Sequence, residues 1–381
     1  MKRLGILLAV CLLLTMLPVQ ARGVELDIPA KSALLMDMAT GTVLYEQNAH
    51  ERLAPASVTK VMTMLLIMEA IDSGKIRWDD TVTASESAAA KGGSQIYLKV
   101  GEQMSVTDMV KSIAVSSAND CACAMAEHIA GSEAAFVDMM NRRAAELGME
   151  DTHFVNCTGL DDDPQAKEHL TSAYDIALMS RELMVNHPDI QKFTTIWMDT
   201  VRDGAFGLAN TNKLVRFYPG ATGLKTGFTA AAGYCLSATA QRDGMGLVAV
   251  VMGSKTSQER FFACKSMLDY GFANYALVAP EAPETAVSVK LGTKEAVKAV
   301  PSHDPRILID KQQKDQVTID LQLDETVQAP VSKGQRLGTL TVKAGQQVLE
   351  QVPMVAAEGV EALTWGDVFL QILRRLAMAK A

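Results

Sequence analysis

The strongest constraint on how this chain can fold is the order in which its hydrophobic periods change. Residues 33–37 and 43–46 read as two short strands joined by Ala39-Thr40-Gly41-Thr42, a hairpin signal. A helical middle follows. After Pro55, residues 57–71 carry Val58, Val61, Met62, Leu65 and Leu66 at helical spacing, and Gly74 ends the run. Ser105 and Asp108 make a capping-box-like start to a helix running toward Ser116. Ser132 caps another helix that Gly148 closes, and Thr171 caps a third that stops at Pro188. Strand character then returns after Phe193. The run GYCLSATA, the turn Arg242-Asp243-Gly244 and residues 246–252 predict a hairpin, with a helix over about 258–275 behind it. Strands flanking helices in this order predict an α+β unit over about residues 25–278: one antiparallel sheet packed with a helical subdomain.

The composition shifts at Ala279-Pro280-Glu281-Ala282-Pro283, a linker signal. Beyond it Val317, Ile319, Leu321 and Leu323 alternate with polar residues, the pattern of a half-buried strand, and Gly334, Gly338 and Gly345 punctuate further short strands. Residues 284–355 therefore predict a small all-β domain without a catalytic constellation. In the final segment, residues 360–381, Trp365, Val368, Phe369, Ile372, Leu373 and Leu376 fall on one helical face. Thr364 stands as N-cap, and Arg374, Arg375 and Lys380 lie near the end. Such a helix is roughly 24 Å long and its charges forbid spanning a bilayer. A basic amphipathic helix here reads as lying in a membrane interface, on the outer face of the plasma membrane. The other reading is docking on the protein's own domain.

Export follows from the other end. Lys2 and Arg3, the apolar residues 4–17, Pro18 and the small residues of Val19-Gln20-Ala21 predict a signal peptide over residues 1–21. Losing Lys2 and Arg3 with it takes the net charge from −8 to −10. Forty-four acidic against 36 basic side chains in 381 residues argue against nucleic acid as a partner. Of the cysteines, Cys121, Cys123, Cys157, Cys235 and Cys264 remain, an odd set that cannot fully pair and that reads as packing. The six histidines are scattered and no H-E-x-x-H or paired C-x-x-C is present, so no metal site is expected.

Chemistry enters at three places. Ser57-Val58-Thr59-Lys60 sets a hydroxyl and an amine one helical turn apart, within reach of each other. Ser57 lies at a helix N-terminus, where backbone N–H groups and the dipole favour negative charge on an attacking oxygen. A Lys can activate that hydroxyl only if burial or a second cation lowers its pKa. Ser117-Ala118-Asn119 follows a capped helix, and Lys225-Thr226-Gly227 stands just before GYCLSATA. Each pattern occurs once. Alone, S-x-x-K means little in a chain this long; S-x-x-K, S-x-N and K-T-G in this order form the set of penicillin-binding proteins and class A β-lactamases.

With PASVTKVMT, SSANDCACAMAEHIAG, HFVNCTGLDD, HLTSAYDIALMSRELM and GLKTGFTAAAGYCLSATA, the chain resembles the serine-type D-alanyl-D-alanine carboxypeptidases, the low-molecular-mass penicillin-binding proteins. The resemblance covers nearly the whole chain. It implies a transpeptidase-like domain over residues 22–278, then the β-rich domain and the amphipathic tail. By motif it implies Ser57 as nucleophile, Lys60 as general base and Ser117 as proton relay to the leaving D-alanine. Asn119 would hold Lys60 and the substrate backbone. Lys225 and Thr226 would receive the substrate carboxylate, and Gly227 would let the strand approach closely. Lys225 would also keep Lys60 partly neutral, and the backbone N–H groups of Ser57 and Phe228 would form an oxyanion hole. Where some relatives carry His after K-T-G, this chain has Phe228. His153 and Asp161-Asp162-Asp163 are assigned to a loop contact and a solvated turn. The implied activity is removal of the terminal D-alanine from peptidoglycan stem peptides through an acyl-enzyme, with β-lactams as covalent inhibitors. Alternatives are a serine β-lactamase, a D,D-endopeptidase on cross-linked peptides, or a non-enzymatic β-lactam sensor. Against the β-lactamase, Glu168-His169-Leu170-Thr171 is a poor match to the E-x-x-L-N loop that positions the deacylating water.

Overall fold

The computed structural model describes residues 26–162 and 164–370. The expected signal peptide, Asp163 and the distal part of the expected C-terminal helix lie outside the described residues. The expected α+β architecture is present. Five antiparallel strands form the first sheet: β1 (Ser32–Asp37), β2 (Val43–Gln47), β3 (Ala221–Thr229), β4 (Gly233–Arg242) and β5 (Met245–Ser254), in the order β2-β1-β5-β4-β3. The first hairpin and the last three strands thus interlock, with β1 beside β5 and Leu35 opposite Ala249. The β4–β5 turn uses Asp243 and Gly244 with φ of 49° and 80°, the left-handed pair that a tight hairpin of this twist requires.

Helices cover both faces. The pleat sends Leu34, Met36, Val248, Val250 and Met252 to one side and Ala33, Leu35, Leu247, Ala249 and Val251 to the other, so both sets are buried. The first side carries the helical subdomain: α1 (Lys60–Asp72), α2 (Val106–Ser116), α3 (Asn119–Ala130), α4 (Glu133–Glu146) and α5 (Ala173–Asn186). The second carries α6 (Ser257–Asn274), whose capping box joins Thr256 and Glu259. Ser105 and Ser132 accept hydrogen bonds from Asp108 N and Ala135 N as N-caps of α2 and α4. The cap of α5 falls one residue later than expected: Ser172, not Thr171, accepts from Asp175 N. Thr171 instead bridges Leu53 and pairs its hydroxyl with Thr152.

Six further strands form a second sheet with its own core, which contains Val297, Leu337, Leu340 and Val352. Strand Val317–Leu323 lies at its edge, and Ile319 is therefore 40% exposed despite the alternating pattern. Across the proline-rich stretch, Tyr275–Val278 pairs with Ile307–Asp310, and Lys311 Nζ donates to Phe272 O, tying α6 to the β-rich part. Val360 and Ala362 bridge back to Val331 and Gly292. The last helix then starts at Trp365, with Thr364 Oγ1 accepting from Asp367 N while the Asp367 carboxylate accepts from Thr364 N.

Candidate active site

Ser57 sits in a single 3-10 turn, Ala56–Thr59, that leads into α1. The preceding Ala56 has φ of 49°, left-handed backbone that an alanine adopts at a cost of about 1–2 kcal/mol. Its carbonyl accepts the Thr59 hydroxyl at 2.8 Å. Thr59 in turn meets Nε2 of the buried His169 at 2.8 Å, while Nδ1 of that ring accepts from Val155 N at 3.0 Å. Because Nδ1 is an acceptor, the ring proton is on Nε2 and is donated to Thr59. Burial pushes the His169 pKa down to about 4, so the ring is neutral and the chain His169–Thr59–Ala56 holds the turn at neutral pH.

Lys60 is fully buried and donates to Ser57 Oγ at 3.1 Å and to Thr158 O at 2.8 Å. Its pKa is lowered to about 7 by burial, partly offset by Cys157 and Asp120. Two expectations change here. The hold on Lys60 comes from the Thr158 carbonyl, not from Asn119. Burial rather than the Lys225 charge lowers the Lys60 pKa, while Lys60 helps to depress that of Lys225, behind burial and ahead of Arg260. The turn carrying Thr158 is built by Asn156, whose Oδ1 accepts from the N–H groups of Thr158 and Gly159. Gly159, at φ +79°, packs so closely that a Cβ there would lie 1.8 Å from Ala56 O.

The second wall is the α2–α3 junction. Ser117 ends α2 in left-handed backbone, φ 64°, and is buried. Asn119 opens α3, and its amide Nδ2 donates to Gly92 O while its N–H donates to Ser94 O. Its Oδ1 is buried without a hydrogen-bond partner. The buried Asp120 accepts from Ile96 N and Leu98 N, so two adjacent residues fix the 91–98 loop.

The third wall is β3, an edge strand of the sheet. Lys225 and Thr226 are buried; Lys225 Nζ donates to Thr226 O and Thr226 Oγ1 donates to Thr211 Oγ1 at 2.7 Å. Thr211 N donates to Val115 O, which links this wall to the end of α2. Gly227 passes against the Ser57 turn. A Cβ on it would stand 2.6 Å from Pro55 O and 3.1 Å from Ser57 N, so the spacing admits no side chain. Its carbonyl accepts from Arg260 Nη1 at 2.9 Å. Phe228 follows, 53% exposed, its ring on Tyr234 at 4.3 Å.

Sequence reasoning missed Arg260, His169, Asp120, Asn156 and Thr158. Lys60, Lys225 and Arg260 are three buried basic side chains, none in an ion pair among the described residues. Burial lowers the pKa of each, and an anion beside them would favour their protonated forms. By contrast the His153 ring meets the loop backbone at Glu168 O, and Glu168, Asp161 and Asp162 are exposed.

Three comparisons place this geometry among known proteins. A family profile described as D-alanyl-D-alanine carboxypeptidase matches residues 19–256, and one described as penicillin-binding protein 5, C-terminal domain, matches residues 272–362. The chain is 45% identical over 347 residues to D-alanyl-D-alanine carboxypeptidase DacF of Bacillus subtilis, covering 89% of this chain and 88% of that one. The solved penicillin binding protein 5 of Haemophilus influenzae superposes with a TM-score of 0.74 at 32% identity, covering 89% and 99% of the two chains. Penicillin-Binding Protein D2 of Listeria monocytogenes, in its ampicillin-bound form, aligns at 33% identity and a TM-score of 0.59 over 65% of this chain and 99% of that one.

Proposed function

Because the chain belongs to the D-alanyl-D-alanine carboxypeptidase family, we propose that it cleaves the terminal D-alanine from peptidoglycan stem peptides through a serine acyl-enzyme. The observation that carries this reading is the contact of a fully buried Lys60 amine, with a pKa near 7, with the Ser57 hydroxyl at 3.1 Å. A neutral amine at that distance takes the hydroxyl proton as the oxygen attacks the penultimate D-alanine carbonyl. The tetrahedral oxyanion then sits between the N–H groups of Ser57 and Phe228, which the bare Gly227 allows to approach. Ser117 passes a proton to the departing D-alanine, and the free Asn119 Oδ1 is available to the peptide backbone. The substrate carboxylate lies against Lys225 and Thr226. Its negative charge offsets the burial that lowers the Lys225 pKa and so favours the protonated amine on this wall. Water then releases the acyl group, and no metal or cofactor takes part in this reading.

Residues 22–278 carry this chemistry and residues 284–355 form a non-catalytic companion. An exported enzyme with a cleaved leader over residues 1–21 and a C-terminal helix in the outer membrane interface fits a substrate outside the cytoplasm. In the described part of that helix Trp365 is 90% exposed and Phe369 62%, an apolar face turned to solvent. The test is incubation with a pentapeptide ending in D-Ala-D-Ala, with free D-alanine measured with and without penicillin, and intact-mass analysis of the penicillin adduct. D-alanine release blocked by an adduct that Ser57→Ala abolishes is the expected result. An adduct without D-alanine release makes the protein a β-lactam sensor. Rapid penicillin turnover in place of a lasting adduct makes it a β-lactamase.

A further inference from the structure

Five cysteines are described, all buried and unbridged, and they do not share one environment. Cys235 lies near Ala54 O, and Cys264 faces Ala249 O. Cys123 and Cys157 differ. Their thiols reach one and the same carboxylate: Cys157 Sγ lies 3.2 Å from Glu133 Oε1 and Cys123 Sγ 3.7 Å from Glu133 Oε2. Cys123 Sγ also lies 3.8 Å from Glu127 Oε1, and Lys91 pairs with Glu133 at 2.6 Å. A cavity of about 240 Å³ is lined by Lys91 and Glu133 of this cluster and by Thr158.

The position matters more than the pairing. Cys123 is on α3, whose first residue is Asn119. Cys157 precedes Thr158, whose carbonyl holds the Lys60 amine, and its own carbonyl accepts the Thr63 hydroxyl of α1. We propose that Cys123 and Cys157 are an oxidation site at which a disulfide joins two walls of the pocket, α3 and the Thr158 turn. The reaction is thiol–disulfide exchange. One cysteine thiolate attacks a disulfide of the oxidant and expels a thiolate; the second cysteine thiolate then attacks the mixed disulfide at the protein sulfur and expels the other. The two cysteines lose two protons and two electrons, and one oxidant disulfide becomes two thiols. The exchange belongs to the folding chain, before the neighbouring Cys123 thiol, burial and the Glu133 carboxylate push the Cys157 thiol up. It rests on the extracytoplasmic location in the reading above, since disulfides persist in oxidising compartments.

The experiment refolds the full chain in a buffer of oxidised and reduced glutathione, alkylates it in denaturant without reductant, and maps the peptides. The expected product carries alkyl groups on Cys121, Cys235 and Cys264 and a cross-linked pair of peptides containing Cys123 and Cys157. Closing a loop of about 34 residues lifts the unfolding midpoint, which reductant then lowers by about 5–10 °C. In Cys123→Ser, Cys157 is alkylated and reductant leaves the midpoint unchanged. Alkylation of both Cys123 and Cys157 in the refolded wild type, or a bridge between a different pair, overturns the proposal. Should Cys123→Ser not fold, the wild-type map decides by itself. Failure of D-alanine release with the bridge mapped as expected would count against the catalytic reading and leave the oxidation site standing.

Discussion

At the scale of single residues, everything turns on the protonation of Lys60. An exposed lysine stays charged to about pH 10.4 and cannot accept a proton at neutral pH. Burial lowers the Lys60 pKa to about 7, so its neutral, basic form grows as pH rises through 7. The second-order rate of acylation by penicillin should therefore climb about tenfold per pH unit below 7 and level off above it, followed by stopped-flow or intact mass. Lys60→Gln should lower that rate by about 10²–10⁴ and flatten the climb. A wild-type profile that keeps rising to pH 10 would mean an ordinary lysine and sink the general-base assignment. The Ser57–Lys60 pair was legible in the sequence because three-residue spacing puts both groups on one turn. Its holder was not legible, because Thr158 acts through a carbonyl that every residue possesses. Arg260 was invisible for a related reason: a cation inside an amphipathic helix reads as solvated until the fold buries it against Gly227 O.

Elements meet at this site through glycines, and their places explain which parts of the fold a sequence can announce. Caps and turns are local: Ser105, Ser132 and the Asp243-Gly244 turn stand where their own neighbours demand them. Close approaches between distant segments are not local, and nothing in HFVNCTGLDD says that Gly159 must clear Ala56 O. Likewise the alternation at Val317–Leu323 marked a strand but could not say that it lies at a sheet edge, where Ile319 remains exposed. The two glycines should fail differently. Gly159→Ala combines a positive φ with a backbone collision, so thermal unfolding should show a loss of about 3 kcal/mol. Gly227→Ala has ordinary backbone angles but pushes β3 away from the Ser57 turn. Its stability should change less, while penicillin acylation should fall by about 10²–10³, the cost of a misplaced oxyanion donor. Wild-type acylation in Gly227→Ala would show that the strand's approach does not build the pocket.

For the whole molecule, the question is what the β-rich part and the tail add to a pocket that lies wholly in the first part. The chain is tied into the second sheet as far as Leu363, whose N–H donates to Leu291 O, and only then enters the helix. A cut after Pro353 would sever the strand Gln347–Ala356, so a clean test of the tail ends the chain at Leu363. The described start of that helix presents Trp365, Phe369 and Leu370 to solvent, side chains that gain about 1.5–3 kcal/mol each when fully buried. A lipid interface can supply that burial, and the sequence beyond adds Arg374, Arg375 and Lys380 for an anionic surface. The protein beginning at Arg22 should therefore sediment with phosphatidylglycerol vesicles, less so at high salt. The same protein ended at Leu363 should stay in the supernatant while releasing D-alanine from the pentapeptide at an unchanged rate. Equal sedimentation of the two forms would place the apolar face against protein instead of lipid. Loss of hydrolysis on removing the tail would show that the helix supports the pocket rather than its location.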